Sequence, residues 1–140
     1  MQKLSAPLWI KFLLHLSRFI DAQVSRTGAH STNVAQLVKA TAVRLRLSPR
    51  AVEKAFLAAL VHDIGKISVP LDVLSKPAPL SADEWMVMKL HPVVGANIVQ
   101  SADRLAGIAP IVHAHQEKFD GTGYPNGLRG EAIPIGARIL

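Results

Sequence analysis

The stretch "LVHDIGK" at residues 60–66 sets an imidazole, a carboxylate and an ammonium group close together. On a helix His62 and Asp63 are neighbours, and Lys66 lies one turn on from both, at i+4 and i+3. One local surface then offers a nitrogen ligand for a metal, a carboxylate able to bridge two ions, and a cation that can face a phosphate oxygen. The competing expectation is a buried His–Asp hydrogen bond beside a solvated lysine. The setting favours chemistry: the pair ends a strongly apolar helix next to Gly65, and burying two such groups without partners costs several kcal/mol.

His30, His91 and His115 each fall near a helix end or break, one per helical segment, as inward-pointing ligands of a bundle would. With His62 and Asp63 they form a set of nitrogen and oxygen donors sufficient for two divalent ions that share a bridging carboxylate and a hydroxide. The segment "HAHQEKFDGTGYPNG", residues 113–127, needs its Gly, Pro and Asn for a turn, but a turn does not need the histidines ahead of it. His113, two residues before His115, points elsewhere on a helix, and His15 occupies an exposed-looking position of the first helix. The chain has no Cys, which excludes disulfides and thiolate metal sites and leaves His and carboxylate as ligands.

A chain of 140 residues is about one domain long, and its 5% aromatic and 19% charged residues suit an all-α domain of closely packed helices. The net charge of +6 invites an anionic partner, but the basic residues are scattered and no nucleic-acid motif accompanies them. No stretch reaches the roughly 18 apolar residues of a membrane span, and the absence of Cys fits a reducing, cytoplasmic setting.

Helical spacing of Leu8, Phe12, Leu16, Phe19, Ile20 and Val24 predicts a first helix over about Pro7 to Arg26. A second follows in "STNVAQLVKATAVRLRL". Ser48 and Pro49 cap a third, which turns Val52, Phe56, Leu60 and Ile64 inward and stops at Gly65. The three prolines of "ISVPLDVLSKPAPL" predict an ordered loop. Ser81 with Glu84 is a capping box opening a fourth helix, and Pro92 restarts or kinks it after His91. A further helix is expected over about Arg104 to Glu117, kinked at Pro110, and Pro134 begins a last, very short one.

The segments "HSTNVA", "HDIGKISVP", "LSKPAPLSADEWMVMKLHPVVG" and "HQEKFDGTGYPNGLRGEAIPIGARIL" resemble, in order and spacing, the HD-GYP subgroup of the HD phosphohydrolase superfamily, from about Asp21 to Leu140. The resemblance implies a helical bundle of about five to six helices with a Gly/Pro-rich GYP loop, an N-terminal helix over 1–26 leading into a domain over 27–140 that is incomplete at its C-terminus. It implies a bacterial signalling enzyme that hydrolyses cyclic di-GMP to pGpG and then GMP, using a hydroxide activated by two divalent ions, iron or manganese. By position, His30, His62, Asp63, His91 and His115 would be metal ligands, with Asp63 bridging and catalytic and Lys66 catalytic beside the bridging oxygen.

Arg26 stands where three-metal members carry Glu, which favours two ions. Gln116 stands where many members place a second His, and its amide oxygen is a weaker ligand. Asp120, Gly121, Gly123, Tyr124 and Pro125 form the namesake loop, expected as a rigid turn at the substrate rim. Partners implied are cyclic di-GMP or a related cyclic dinucleotide, diguanylate-cyclase (GGDEF) domains and a homodimer; no nucleic acid and no membrane segment is expected. The alternative is a degenerate module that binds the dinucleotide or a cyclase without turnover. The family's last metal Asp and its phosphate-gripping basic residues follow the segment matching "ARIL". The 140 residues alone are therefore expected to hold metal weakly and turn over little; elemental analysis finding two tightly held ions per chain would contradict this.

Overall fold

In the computed structural model, residues 8–24 and 29–140 are described. They contain eight α-helices and no strands: α1 (Leu8–Val24), α2 (His30–Arg44), α3 (Pro49–Val61), α4 (Leu71–Leu74), α5 (Ala82–Met88), α6 (His91–Gln100), α7 (Ala109–His113) and α8 (Ile135–Ile139). This all-helical bundle agrees with the fold class expected, though with more helices than the spacing suggested. Arg26 and the outer ends of the expected first helix lie outside the described residues.

The three longest helices, α1, α2 and α3, make one side of the bundle. α3 starts as predicted: the Ser48 side chain accepts the Ala51 N–H at 3.3 Å, and Pro49 occupies the first turn, where its missing N–H is harmless. Its second half is buried on every side, through Ala55, Leu57, Ala58, Ala59, Leu60 and Val61. Leu60 and Ile64 are buried as expected, whereas Val52 and Phe56 are half-buried and line a surface groove with Lys39 and Val43. On α1 the inward residues are Leu13, Ser17, Ile20 and Asp21, while Leu8, Phe12 and Phe19 face outward.

Several segments differ from the sequence reading, mostly where proline or glycine acts. α3 ends at Val61, before Gly65, and a 3₁₀ turn over Ile64–Ser68 follows. The expected proline loop is partly helical, as it contains that turn and α4. The Ser81/Glu84 capping box forms with both of its hydrogen bonds. The expected helix over 104–117 is a 3₁₀ turn, Ala106–Ile108, followed by the single-turn α7; Pro110 opens α7 and does not kink a longer helix. α8 is short, yet Ala137 is buried in the shared core and Gly136 sits against Ile111, so tertiary packing supplies what its length cannot.

Gly65 is required by packing. A Cβ there would overlap the His91 carbonyl oxygen, because the 3₁₀ turn lies directly on the start of α6. The contact brings the end of α3 and the start of α6 to one point. Gly65→Ala should therefore destabilise the protein by about 3 kcal/mol, the upper range for forced overpacking, and chemical denaturation will measure it. A loss below about 1 kcal/mol would show that this contact yields easily.

Candidate metal centre

The five residues singled out as ligands come from the ends of four helices. His62 follows the last residue of α3, Asp63 precedes the 3₁₀ turn, His91 opens α6, and His115 lies just past α7. His30 is the first residue of α2. The structure brings all five together in two groups whose ligand atoms lie within 4.8 Å of one another: His30, His62 and Asp63, and Asp63, His91 and His115. Asp63 belongs to both.

Its two oxygens face different groups. Oδ2 receives the Lys66 ammonium at 2.7 Å and lies 3.3 Å from His62 Nε2. Oδ1 lies 3.4 Å from His91 Nε2 and 3.8 Å from His115 Nε2, and it is buried with no hydrogen-bond partner. The Lys66 contact runs across a 3₁₀ turn, which still brings residues three apart together.

Three of the rings are locked in the same way. Nδ1 of His62, His91 and His115 lies 2.8, 2.7 and 2.6 Å from the carbonyl oxygens of Ala59, Met88 and Val112, each three residues earlier. A carbonyl only accepts, so Nδ1 carries the proton and donates it; in His91 and His115 this leaves a lone pair on Nε2, whereas His62 Nε2 is paired with Asp63 Oδ2. The carbonyls are among the last of α3, α5 and α7, which have no partner within their own helix.

His91 Nε2 and His115 Nε2 lie 3.1 Å apart. With both lone pairs aimed inward, that approach is repulsive unless a cation lies between or beside them. A proton is a poor candidate. Burial holds His91 below the usual imidazole range and pushes His115 down to about 4, outweighing the help of their backbone partners and of Asp63. Burial also draws His62 toward its neutral form, but its hydrogen bond to Asp63 and the charge there reverse the effect and raise it. Burial opposes the charge on Asp63 as well, yet His62 and Lys66 hold its carboxyl far below the usual carboxylate range. An orphaned carboxylate oxygen, converging imidazole lone pairs and the absence of thiolate together fit a divalent metal.

Comparison with known proteins agrees with this chemistry. Residues 15–140 match the family model described as HD domain. The chain belongs to the HD domain family. Its similar proteins include a cyclic di-GMP phosphodiesterase of Vibrio cholerae, 37% identical over 143 residues covering 91% of this chain and 29% of the relative. The cyclic di-GMP phosphodiesterase response regulator RpfG of Xanthomonas campestris is 39% identical over 130 residues, covering 91% and 34%. A 3'3'-cGAMP-specific phosphodiesterase 2 of Vibrio cholerae is 37% identical over 131 residues, covering 92% and 25%. This HD domain thus spans about a third of the length of the curated relatives it matches first. No helix is long and apolar enough to cross a membrane among the described residues.

The remaining candidates lie beside the cluster or away from it. The Tyr124 ring meets His91 edge-on, with centroids 6.4 Å apart, and the Lys89 ammonium lies 5.8 Å from its centre. Burial, then the nearby charge of Asp63, raises the Tyr124 hydroxyl above its usual range. Asp120 turns its carboxylate back into its own loop, accepting the Thr122 N–H at 2.9 Å and hydroxyl at 2.7 Å. Gly121 has φ 83°, as a loop glycine can. Gly123 is needed for another reason, since a Cβ would overlap the Lys118 nitrogen. Pro125 follows Tyr124 through a cis peptide bond. The Gln116 carbonyl accepts the Tyr124 N–H at 3.1 Å, tying the loop to the residue after His115. His15 is exposed, and His113 lies in a surface recess with Asn97 and Gln100.

Glu117 escaped the sequence reading. Its two oxygens accept the Asn126 and Leu128 N–H groups at 2.7 and 2.9 Å, holding the far side of the loop. A carboxylate just before a Gly- and Pro-rich loop, whose backbone amides need acceptors, was the available signal.

These protonation equilibria give the metal-free protein a specific acid response. His115 titrates near 4 when folded and near 6.5 when unfolded, so its neutral form contributes stability above about 6.5 that is lost as pH falls toward 4. His91 acts in the same direction. His62 acts oppositely, its contribution being complete below 6.5 and lost as pH rises through its raised value. Thermal melts of apo protein should show Tm falling between pH 6.5 and 4, and His115→Gln should flatten that slope. An unchanged slope in the variant would contradict the assignment.

Proposed function

We propose that this HD domain is the hydrolytic module of a metal-dependent phosphodiesterase that opens cyclic di-GMP to pGpG and carries it on to GMP. The observation that carries the reading is the placement of one buried carboxylate, Asp63, between two groups of imidazoles, with a separate oxygen toward each. The names of relatives 35–39% identical to this chain support the substrate.

In this reading His30, His62 and Asp63 hold one divalent ion, and Asp63, His91 and His115 hold a second, with iron or manganese suited to the nitrogen and oxygen donors. When bound, the ions supply Lewis-acid activation of water and of the phosphodiester. The chain supplies the rest. Three imidazoles locked by backbone carbonyls keep Nε2 aimed inward without rearrangement, which is preorganisation. Lys66, paired with Asp63, holds positive charge where negative charge develops on phosphate oxygens. Tyr124, with Gly121, Gly123 and Pro125 shaping its loop, stands at the rim where a base or ribose would pass.

The domain acts in the cytoplasm, where cyclic dinucleotides are found, and its loop offers a contact for diguanylate-cyclase domains or a second copy. Two other readings have support of their own. Gln116, in place of a second imidazole after His115, favours a module that binds nucleotide or cyclase without turnover. The similarity to 3'3'-cGAMP-specific phosphodiesterases supports a different cyclic dinucleotide, which substrate competition decides.

Full-length protein loaded with Mn²⁺ should release pGpG and then GMP from cyclic di-GMP, and Asp63→Asn should abolish release. Lys66→Met should lower kcat by roughly 100- to 1,000-fold, the usual effect of removing one donor to developing charge, while metal content stays unchanged. Intact cyclic di-GMP after incubation with protein of confirmed metal content would sink the reading.

A further inference from the structure

The start of α2 carries His30, and Ala29 before it provides no side-chain cap. The first amides of a helix need acceptors from outside it. One comes from α1. Asp21 accepts the Ser31 N–H at Oδ2, 2.8 Å away, and the Ser31 hydroxyl at Oδ1, 2.6 Å away. Both residues are buried, Asp21 to 3% and Ser31 to 2% exposure. A buried carboxylate that meets one residue with both of its oxygens is a rigid link, and charge-assisted bonds of this kind are the stronger class. Its negative charge also faces the positive end of the α2 dipole.

The position of this link matters for His30. That residue is exposed, yet its ring must lie 5.8 Å from the His62 ring, centre to centre, for the first ligand group to form. His62, by contrast, is buried inside the bundle with its own carbonyl lock. Ser31 is the covalent neighbour of His30, so pinning Ser31 to α1 sets where the first turn of α2 ends and where the His30 side chain begins.

We propose that Asp21 is a positioning residue: through Ser31 it holds His30 at the metal centre, so that α1 sets the affinity of one half of the centre and leaves the other half alone. The inference rests on the metal-centre reading above. Asp21 acts by fixing the helix end that carries a ligand.

The experiment titrates Mn²⁺ into metal-free, full-length protein and follows both the binding stoichiometry and the electron paramagnetic resonance signal, which separates a coupled pair from an isolated ion. Wild type should bind a coupled pair, and His30→Ala should bind an isolated ion. Asp21→Asn should behave as His30→Ala does, with affinity in the first group reduced roughly tenfold or more, in the range typical of residues that orient ligands. Affinity at the His91/His115 group should be unchanged, and Asp21→Glu, which keeps two acceptor oxygens, should restore the coupled signal. Wild-type titration by Asp21→Asn, beside a lost ion in His30→Ala, would overturn the inference and leave the metal centre standing. Loss of both ions together with a lowered Tm would also overturn it, reducing Asp21 to a general structural role. Failure of wild type to bind Mn²⁺ at all, with His30→Ala indistinguishable from it, would remove the metal-centre reading and this inference with it.

Discussion

The Asp63 carboxylate is ionised in a place that water scarcely reaches, and the rest of the site is arranged around that charge. On one side Lys66 and His62 meet Oδ2 and stabilise it. On the other, Oδ1 faces two imidazole nitrogens that bring lone pairs and no protons. A buried charge satisfied on one face and unpaired on the other is unfavourable by itself. The same asymmetry is favourable when a cation completes the second face, which is why the apo arrangement points to metal more strongly than to an internal salt bridge.

The rings around Asp63 need to be stiff, and the fold achieves this with helix ends. Carbonyls in the last turns of α3, α5 and α7 have no amide partner within their helices, and each takes an imidazole N–H. One device thus satisfies orphaned backbone groups and sets the tautomer of three rings. It also explains why the helices here are short. A continuous α5–α6 would bury the Met88 carbonyl in its own hydrogen-bond ladder, and Pro92, which has no N–H to offer it, prevents that.

Convergence of the ends then requires close packing. The 3₁₀ turn after Asp63 lies against the first turn of α6, with Gly65 on the His91 backbone. Beyond His115 the chain is held by its own polar groups: the Gln116 carbonyl and the Glu117 carboxylate take loop amides from Tyr124, Asn126 and Leu128. The loop therefore has a fixed shape, and Tyr124 stands beside His91 because its backbone leaves no other course.

Much of this was legible in the residues themselves. The Ser48 cap, the Ser81/Glu84 capping box and the alternation of apolar helices with Pro- and Gly-rich breaks depend on bonds between near neighbours, so local sequence is sufficient to read them. The motif spacing singled out His30, His62, Asp63, His91 and His115 for the same reason: few residue types hold metals, and the chain contains no Cys. The inward face of α1, the half-exposure of Val52 and Phe56, the purpose of Gly65, the break at Pro110 and the role of Glu117 were not legible, since each depends on what approaches from elsewhere in the chain. Sequence by itself determined the donor types and the helical class. A bridging role for Asp63 was expected from the sequence, but only the tertiary structure decided which of its oxygens faces which imidazoles, because that geometry arises where four separate helix ends meet, and spacing along a chain does not encode distance across it.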